Sequence, residues 1–141
     1  MTDAEWQTCN YPCAMLEALS NHPHCDKFRG LACQWCLLPE VRRLLETQRA
    51  TQFLTSAGQF VAGQISWEEL SGAIRETPKG WVSRGWGHKP VRVPPAAQAL
   101  RAVAALSAPD AWDAAWGVAQ EAVNLLGPSA CDQIRELFTK P

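Results

Sequence analysis

Five of the six cysteines fall between positions 9 and 36: Cys9, Cys13, Cys25, Cys33 and Cys36, with His22 and His24 among them. Thiolate and imidazole are the ligands tetrahedral zinc takes, often as closely spaced pairs. Cys33-x-x-Cys36 has that spacing. Cys9 and Cys13 stand one helical turn apart and can point at one spot. Zinc is therefore the alternative cofactor, held by Cys33, Cys36 and two of Cys9, Cys13, His22, His24 and Cys25; otherwise no cofactor is expected. Against zinc, a knuckle sits in a glycine-bearing turn, whereas Cys33 and Cys36 lie in an apolar helical pattern with Ala32, Trp35 and Leu37. Free cysteine packs as a small hydrophobe, and this setting favours packed thiols. Disulfide or redox chemistry is the remaining reading. His22 and His24 flank Pro23 as turn histidines facing solvent. Catalysis by cysteine needs a base within hydrogen-bond reach of the thiol. Sequence neighbours on a turn point apart, so His24 beside Cys25 supplies no catalytic residue.

The second chemical feature is a basic aromatic stretch, Lys79-Gly80-Trp81-Val82-Ser83-Arg84-Gly85-Trp86-Gly87-His88-Lys89-Pro90, followed by Arg92. Cations attract phosphates, and bases stack on tryptophan. Trp and Arg are also enriched at protein interface hot spots. The candidate binding residues are Lys79, Trp81, Arg84, Trp86, His88, Lys89 and Arg92, for a protein partner or for nucleic acid. The plainer reading folds Trp81 and Trp86 back over the bundle and leaves the cations solvated. The glycines make no phosphate-binding fingerprint. Between Glu76 and Asp110 there is no acidic residue, so Lys79, Arg84, Lys89, Arg92 and Arg101 give a local +5 within a net charge of −1. The rest is −6, which implies a positive patch on an acidic body. That excess is small for a dedicated nucleic-acid binder. The carboxylates, Glu68 and Glu69 or Asp110 and Asp113 among them, read as helix caps and first-turn charges.

Helices must position these residues. Thr2-Asp3-Ala4-Glu5 is a capping box opening a helix to about Cys9. Pro12 suits a first helical turn, with Met15, Leu16 and Leu19 inward. Asn21 to His24 ends that helix, and Asp26 caps the next, which carries Phe28, Leu31, Ala32, Trp35 and Cys36 inward. Pro39 interrupts, and helical spacing resumes at Val41, Leu44 and Leu45. Thr47 to Ala62 reads as one longer helix with Phe53, Leu54, Ala57, Phe60 and Val61 inward, stopped by Gly63. Ser66 to Glu69 is a second capping box, opening a helix to about Arg75. From Thr77 to Pro94 the pattern breaks, with a short extended piece at Val91-Arg92-Val93. Helices return at Ala96–Leu106, at Pro109 or Asp110 to about Leu126 with Trp112, Trp116, Ala119 and Val123 aligned, and at Ser129–Phe138 with Ile134, Leu137 and Phe138 inward. The expected fold is all-α: an irregular orthogonal bundle of six to eight helices with one long basic loop. It forms a single domain over 1–141, made of a cysteine-rich helical half (1–76), the loop (77–94) and C-terminal helices (95–139).

At 141 residues with 47% apolar side chains, the chain can bury a core without staples. It has no apolar run of membrane-spanning length. The polar, acidic start differs from a secretory signal, so the expected location is cytoplasmic, where thiols stay reduced.

Several segments carry a resemblance. Met1-Thr2-Asp3-Ala4-Glu5-Trp6, Pro12 to Leu19 with Met15, Leu16 and Glu17, then Lys27, Arg29, Ala32, Cys33 and Cys36, then Glu68-Glu69-Leu70, stand in order. Gln133-Ile134-Arg135-Glu136-Leu137-Phe138 follows near the end. This pattern resembles an uncharacterised family of bacterial, mostly planctomycete, proteins. The resemblance covers about two-thirds of the chain and implies a helical fold and no particular activity. Leu37 and Leu38 stand where the family carries paired arginines, and Cys9 and Cys13 are outside its pattern. The chain reads as a stand-alone version of a domain that begins longer family members. Taken together, the residues name no reaction. The expected function is a non-enzymatic helical protein-interaction module, a small subunit of a larger assembly. The alternatives are a zinc-stabilised domain and a nucleic-acid-binding accessory protein.

Overall fold

Prolines and short polar side chains cut the chain into helices. A computed structural model describes residues 1–23, 25–79 and 93–139. Among them are nine helices and no strand: α1 Asp3–Thr8, α2 Pro12–Ala18, α3 Asp26–Cys36, α4 Pro39–Thr47, α5 Thr51–Val61, α6 Trp67–Glu76, α7 Pro95–Ala105, α8 Ala111–Glu121 and α9 Pro128–Leu137. Pro opens α2, α4, α7 and α9, where its missing N–H costs nothing. Thr2 and Glu5 close a full capping box on α1. Ser66 and Asp110 each accept an amide of the first turn of α6 and α8. For α3 the cap position is Cys25, not Asp26; Asp26 is the first helical residue, a carboxylate at the positive end of the helix.

The count exceeds six to eight. The helix expected over Thr47–Ala62 is two, because the chain reverses at Arg49. That residue has φ 61°, and the Ala50 amide bonds back to the Leu45 carbonyl. This is a Schellman closure with arginine at the left-handed position, a place usually marked by glycine. Gly63, at φ 74°, closes α5 in the same way as expected, with the Gln64 amide on the Gln59 carbonyl. The next-to-last helix, α8, ends at Glu121 rather than near Leu126. Val123 therefore leaves the helical face and is 58% exposed, and Val61, at the end of α5, is 38% exposed. Val61 was expected inward, and Val123 in line with Trp112, Trp116 and Ala119. The extended piece at Val91–Val93 and most of the 77–94 loop lie outside the described residues.

The hub is α3, which packs against α4, α5, α7, α8 and α9. Its side chains are buried on nearly every side: Phe28, Arg29, Leu31, Ala32, Cys33, Trp35 and Cys36. Only Asp26, Lys27, Gly30 and Gln34 leave a partly open edge on this central helix. Beside it α7 and α8 press together on small residues. A Cβ on Gly117 would lie 2.9 Å from that of Ala105, so only glycine permits this approach. One apolar cluster runs from Trp6 to Phe138.

Long side chains then tie helices to distant backbone. Buried Arg29 donates to the carbonyls of Leu106 (2.7 Å), Ala108 (2.9 Å) and Pro109 (3.0 Å). Arg135 donates to the carbonyls of Trp6 and Cys9 and pairs with Asp132. Trp35 and Trp112 donate their indole N–H to Ala130 and Leu16. The arginines reach carbonyls at or beyond the ends of α1 and α7, whereas the two indoles add a donor to carbonyls within or at the end of helices α9 and α2.

Candidate functional site

The expected metal ligands are dispersed by the fold. Cys33 and Cys36 sit on α3 with no exposed surface. Burial pushes the Cys33 thiol up to about 12, partly offset by Arg29, and drives Cys36 well above the thiol range. Both stay protonated and pack as apolar groups. Cys25 is the half-buried cap residue of α3. Cys9 closes α1 and Cys13 sits in the first turn of α2; both are half-buried. His22 is not a free loop histidine. Its Nδ1 lies 3.0 Å from the Pro23 carbonyl, and its ring meets Phe28 and Phe138 edge-on at 5.9 and 5.2 Å. His24 lies outside the described residues. Among those described, no three His, Cys, Asp or Glu side chains come together to hold a metal. Thermal unfolding is thus expected at the same Tm with and without EDTA, because structural zinc couples directly to folding. A Tm that drops in chelator would return these cysteines to a ligand role.

Of the basic aromatic set, Lys79 is exposed just beyond α6. Trp81, Arg84, Trp86, His88, Lys89 and Arg92 lie outside the described residues. The other tryptophans are accounted for by packing. Trp112 and Trp116 stack at 5.4 Å, with 12° between their planes. Trp67 lies over the Arg29 guanidinium at 3.7 Å, a cation–π contact that covers the buried charge.

Three open grooves stand out among the described residues. One, about 560 Å³, runs between α1 and α2 and carries Glu5, Glu17 and Cys9. A second, about 390 Å³, lies between α5 and α6 and is edged by Gln52, Gln59, Glu69 and Glu76. The third, about 400 Å³, lies between α3, α5 and α9. It is the most apolar of the three. Phe60, Val61 and Ile65 form one wall, Leu137 faces them, and Gly30 and Leu31 belong to the floor. A Cβ placed on Gly30 would meet nothing within 4 Å, so the missing side chain itself makes the space. Asp26, Lys27 and Gln34 supply polar edges. An apolar trough with a few polar groups is the general form of a binding site.

No family model, no curated protein and no solved structure matches this chain. The groove residues therefore stand on geometry alone. Sequence reading missed the groove because its parts come from three helices, and because Val61 was expected to turn inward. It also missed Cys131, which is fully buried on α9. The one legible trace was Gly30, a glycine within an otherwise helical apolar run.

Proposed function

We propose that the chain is a protein-interaction module that receives an apolar segment of a partner protein in the groove between α3, α5 and α9. The observation that carries this reading is the glycine-floored apolar trough, with Val61 38% exposed on its wall. Exposed apolar surface next to polar edges is characteristic of a covered interface. The groups with shifted pKa add support. Cys33, Cys36 and Arg29 are turned into the core, and burial comes first among the causes of each shift. They serve packing rather than a reaction.

The test uses a benzophenone side chain at Val61, with a second probe at exposed Gln120 on α8 as control. In host-cell extract, the Val61 probe is expected to give one discrete protein adduct that the control does not. Gly30→Leu should abolish that adduct by filling the trough. The same substitution replaces a helical glycine, which costs about 1 kcal/mol relative to alanine, so Tm should hold or rise. An adduct that survives the plugged groove, or equal adducts from both probes, would sink the proposal.

A further inference from the structure

The first 26 residues carry four carboxylates, Asp3, Glu5, Glu17 and Asp26, and neither lysine nor arginine. Three of the four stand on α1 and α2. Glu5 and Glu17 edge the open groove of about 560 Å³ between these helices, and Ala14 and Ala18, one turn apart on α2, give it an apolar lining. Glu17 is exposed, and Glu5 accepts the Thr2 amide. Two large apolar side chains are open at the same corner. Met1, which lines the groove, is 45% exposed. Tyr11, whose backbone meets the Cys9 Sγ at 3.5 Å, is 74% exposed. Among the described residues, the other exposed large hydrophobic side chains are Val61 and Val123. Open apolar side chains beside a rim of charge mark a surface that a partner covers.

We infer that this corner docks a second copy of the chain, which presents its basic stretch. Charge names the occupant. Residues 77–109 hold Lys79, Arg84, Lys89, Arg92 and Arg101 and no carboxylate, so one chain carries both halves of a complementary pair. Trp81 and Trp86 belong to the same stretch, and Trp, Tyr and Arg are the residues that dominate interfaces. Placement points to two copies rather than one. The stretch joins α6 to α7, whereas α2 packs on α8 and α9. The acidic corner and exposed Lys79, where the stretch begins, thus belong to different parts of the bundle. The surfaces in contact are unlike, so one copy gives while the other receives. Opposite charges steer the approach and set the register. Apolar contact with Met1 and Tyr11 adds a contribution that salt does not screen. The groove between α3, α5 and α9 takes no part, so this contact is independent of the partner proposed there.

Sedimentation velocity of the full-length protein, reduced and freed of nucleic acid, tests this. The wild type should self-associate at about 50 mM salt, and its dissociation constant should rise roughly tenfold by about 500 mM. Glu17→Lys reverses an exposed charge at the groove and should weaken association by roughly tenfold or more, with Glu17→Gln between it and wild type. Arg84→Glu combined with Lys89→Glu should weaken association as much. Mixed in equal amounts, the Glu17→Lys protein and the doubly substituted protein should associate more tightly than either alone, because each keeps the surface the other has lost. Gly30→Leu should associate as wild type does. Circular dichroism of each variant separates lost contact from lost fold. A wild type that stays monomeric at low salt overturns the assignment. So does association that Glu17→Lys leaves unchanged, a mixture no tighter than its components, or association lost in Gly30→Leu.

Discussion

Replacing Arg29 with methionine should lower stability by ~3–5 kcal/mol and Tm by roughly 10–15 °C. The cost comes from what is left behind. Three carbonyls at the end of α7 and in the turn to α8, those of Leu106, Ala108 and Pro109, lose their donor at once. A hydrogen bond from a charged donor is worth about 1.5–3 kcal/mol, and a buried acceptor without a partner is penalised further. Methionine recovers part of the packing under Trp67, because its stem is nearly as long. Lysine tests the same point differently. It keeps the charge but cannot present a planar fork to several carbonyls, so Arg29→Lys should fall between wild type and Arg29→Met. Burial lowers the guanidinium pKa, and Asp26, Cys33 and Asp110 pull it back, so the cation is held in place by its surroundings. Equal chemical-denaturation midpoints for wild type and Arg29→Met would show that the three bonds carry no net stability.

Arg29 also shows where sequence reading stops. The local signals were readable. Thr2 and Glu5 bond as a capping box, with the Glu5 amide 3.1 Å from the Thr2 hydroxyl, because both partners lie within one turn. Pro12 and Gly63 fall where their backbone preferences place them. The stripe of Phe28, Leu31, Ala32, Trp35 and Cys36 is buried as its helical spacing predicts. Arg49 was unreadable for a different reason. Any residue can be forced into left-handed backbone at a cost of about 1–2 kcal/mol, and arginine gives no sign of it. The carbonyls that Arg29, Arg135, Trp35 and Trp112 reach lie 77 to 129 residues away in the chain. A backbone acceptor has no residue type, so no pattern of letters announces it. Arg29 and Arg135 stand on different helices, α3 and α9. In this fold both act as donors to helix-end carbonyls.

The cysteines illustrate the same limit at the site. Spacing paired Cys33 with Cys36 and Cys9 with Cys13, and correctly placed the first pair on an apolar helix. What spacing could not supply was direction. Cys33 and Cys36 turn into the core around α3, whereas Cys9 lines the groove between α1 and α2 with its Sγ against the Tyr11 backbone. The groove between α3, α5 and α9 was invisible for a related reason. It depends on an absent side chain at Gly30 and on residues that three helices and the segment after α5 bring together, and neither lies on a single periodic stripe.

Raising the pH from about 8 to about 10 should cost the fold ~4 kcal/mol through its buried thiols alone. In the unfolded chain a thiol titrates near 9.0. In the fold Cys33 is held up to about 12 and Cys131 to about 11, and Cys36 lies well above the thiol range, each chiefly because burial penalises the thiolate. A pKa raised by folding stabilises the native state fully below the unfolded value and loses that contribution as pH climbs toward the folded value. Above about pH 9 the unfolded state sheds three protons that the native state keeps. Each proton changes stability by about 1.4 kcal/mol per pH unit once it is fully released; release is half complete at about pH 9, so the rise from about pH 8 to about pH 10 costs about 1.4 kcal/mol per thiol, and three together give the stated loss. Other groups also titrate in this range, so the decisive quantity is a difference between variants. Denaturation midpoints under reducing conditions, compared between about pH 8 and about pH 10, should fall steeply for wild type. The fall should be shallower by about a third in each of Cys33→Ala, Cys36→Ala and Cys131→Ala. A triple variant should lose most of the alkaline slope, even though its smaller core makes it less stable near neutral pH. A triple variant that keeps the wild-type slope would mean that these thiols ionise in place, and the packed, apolar role assigned to Cys33 and Cys36 would fall with it.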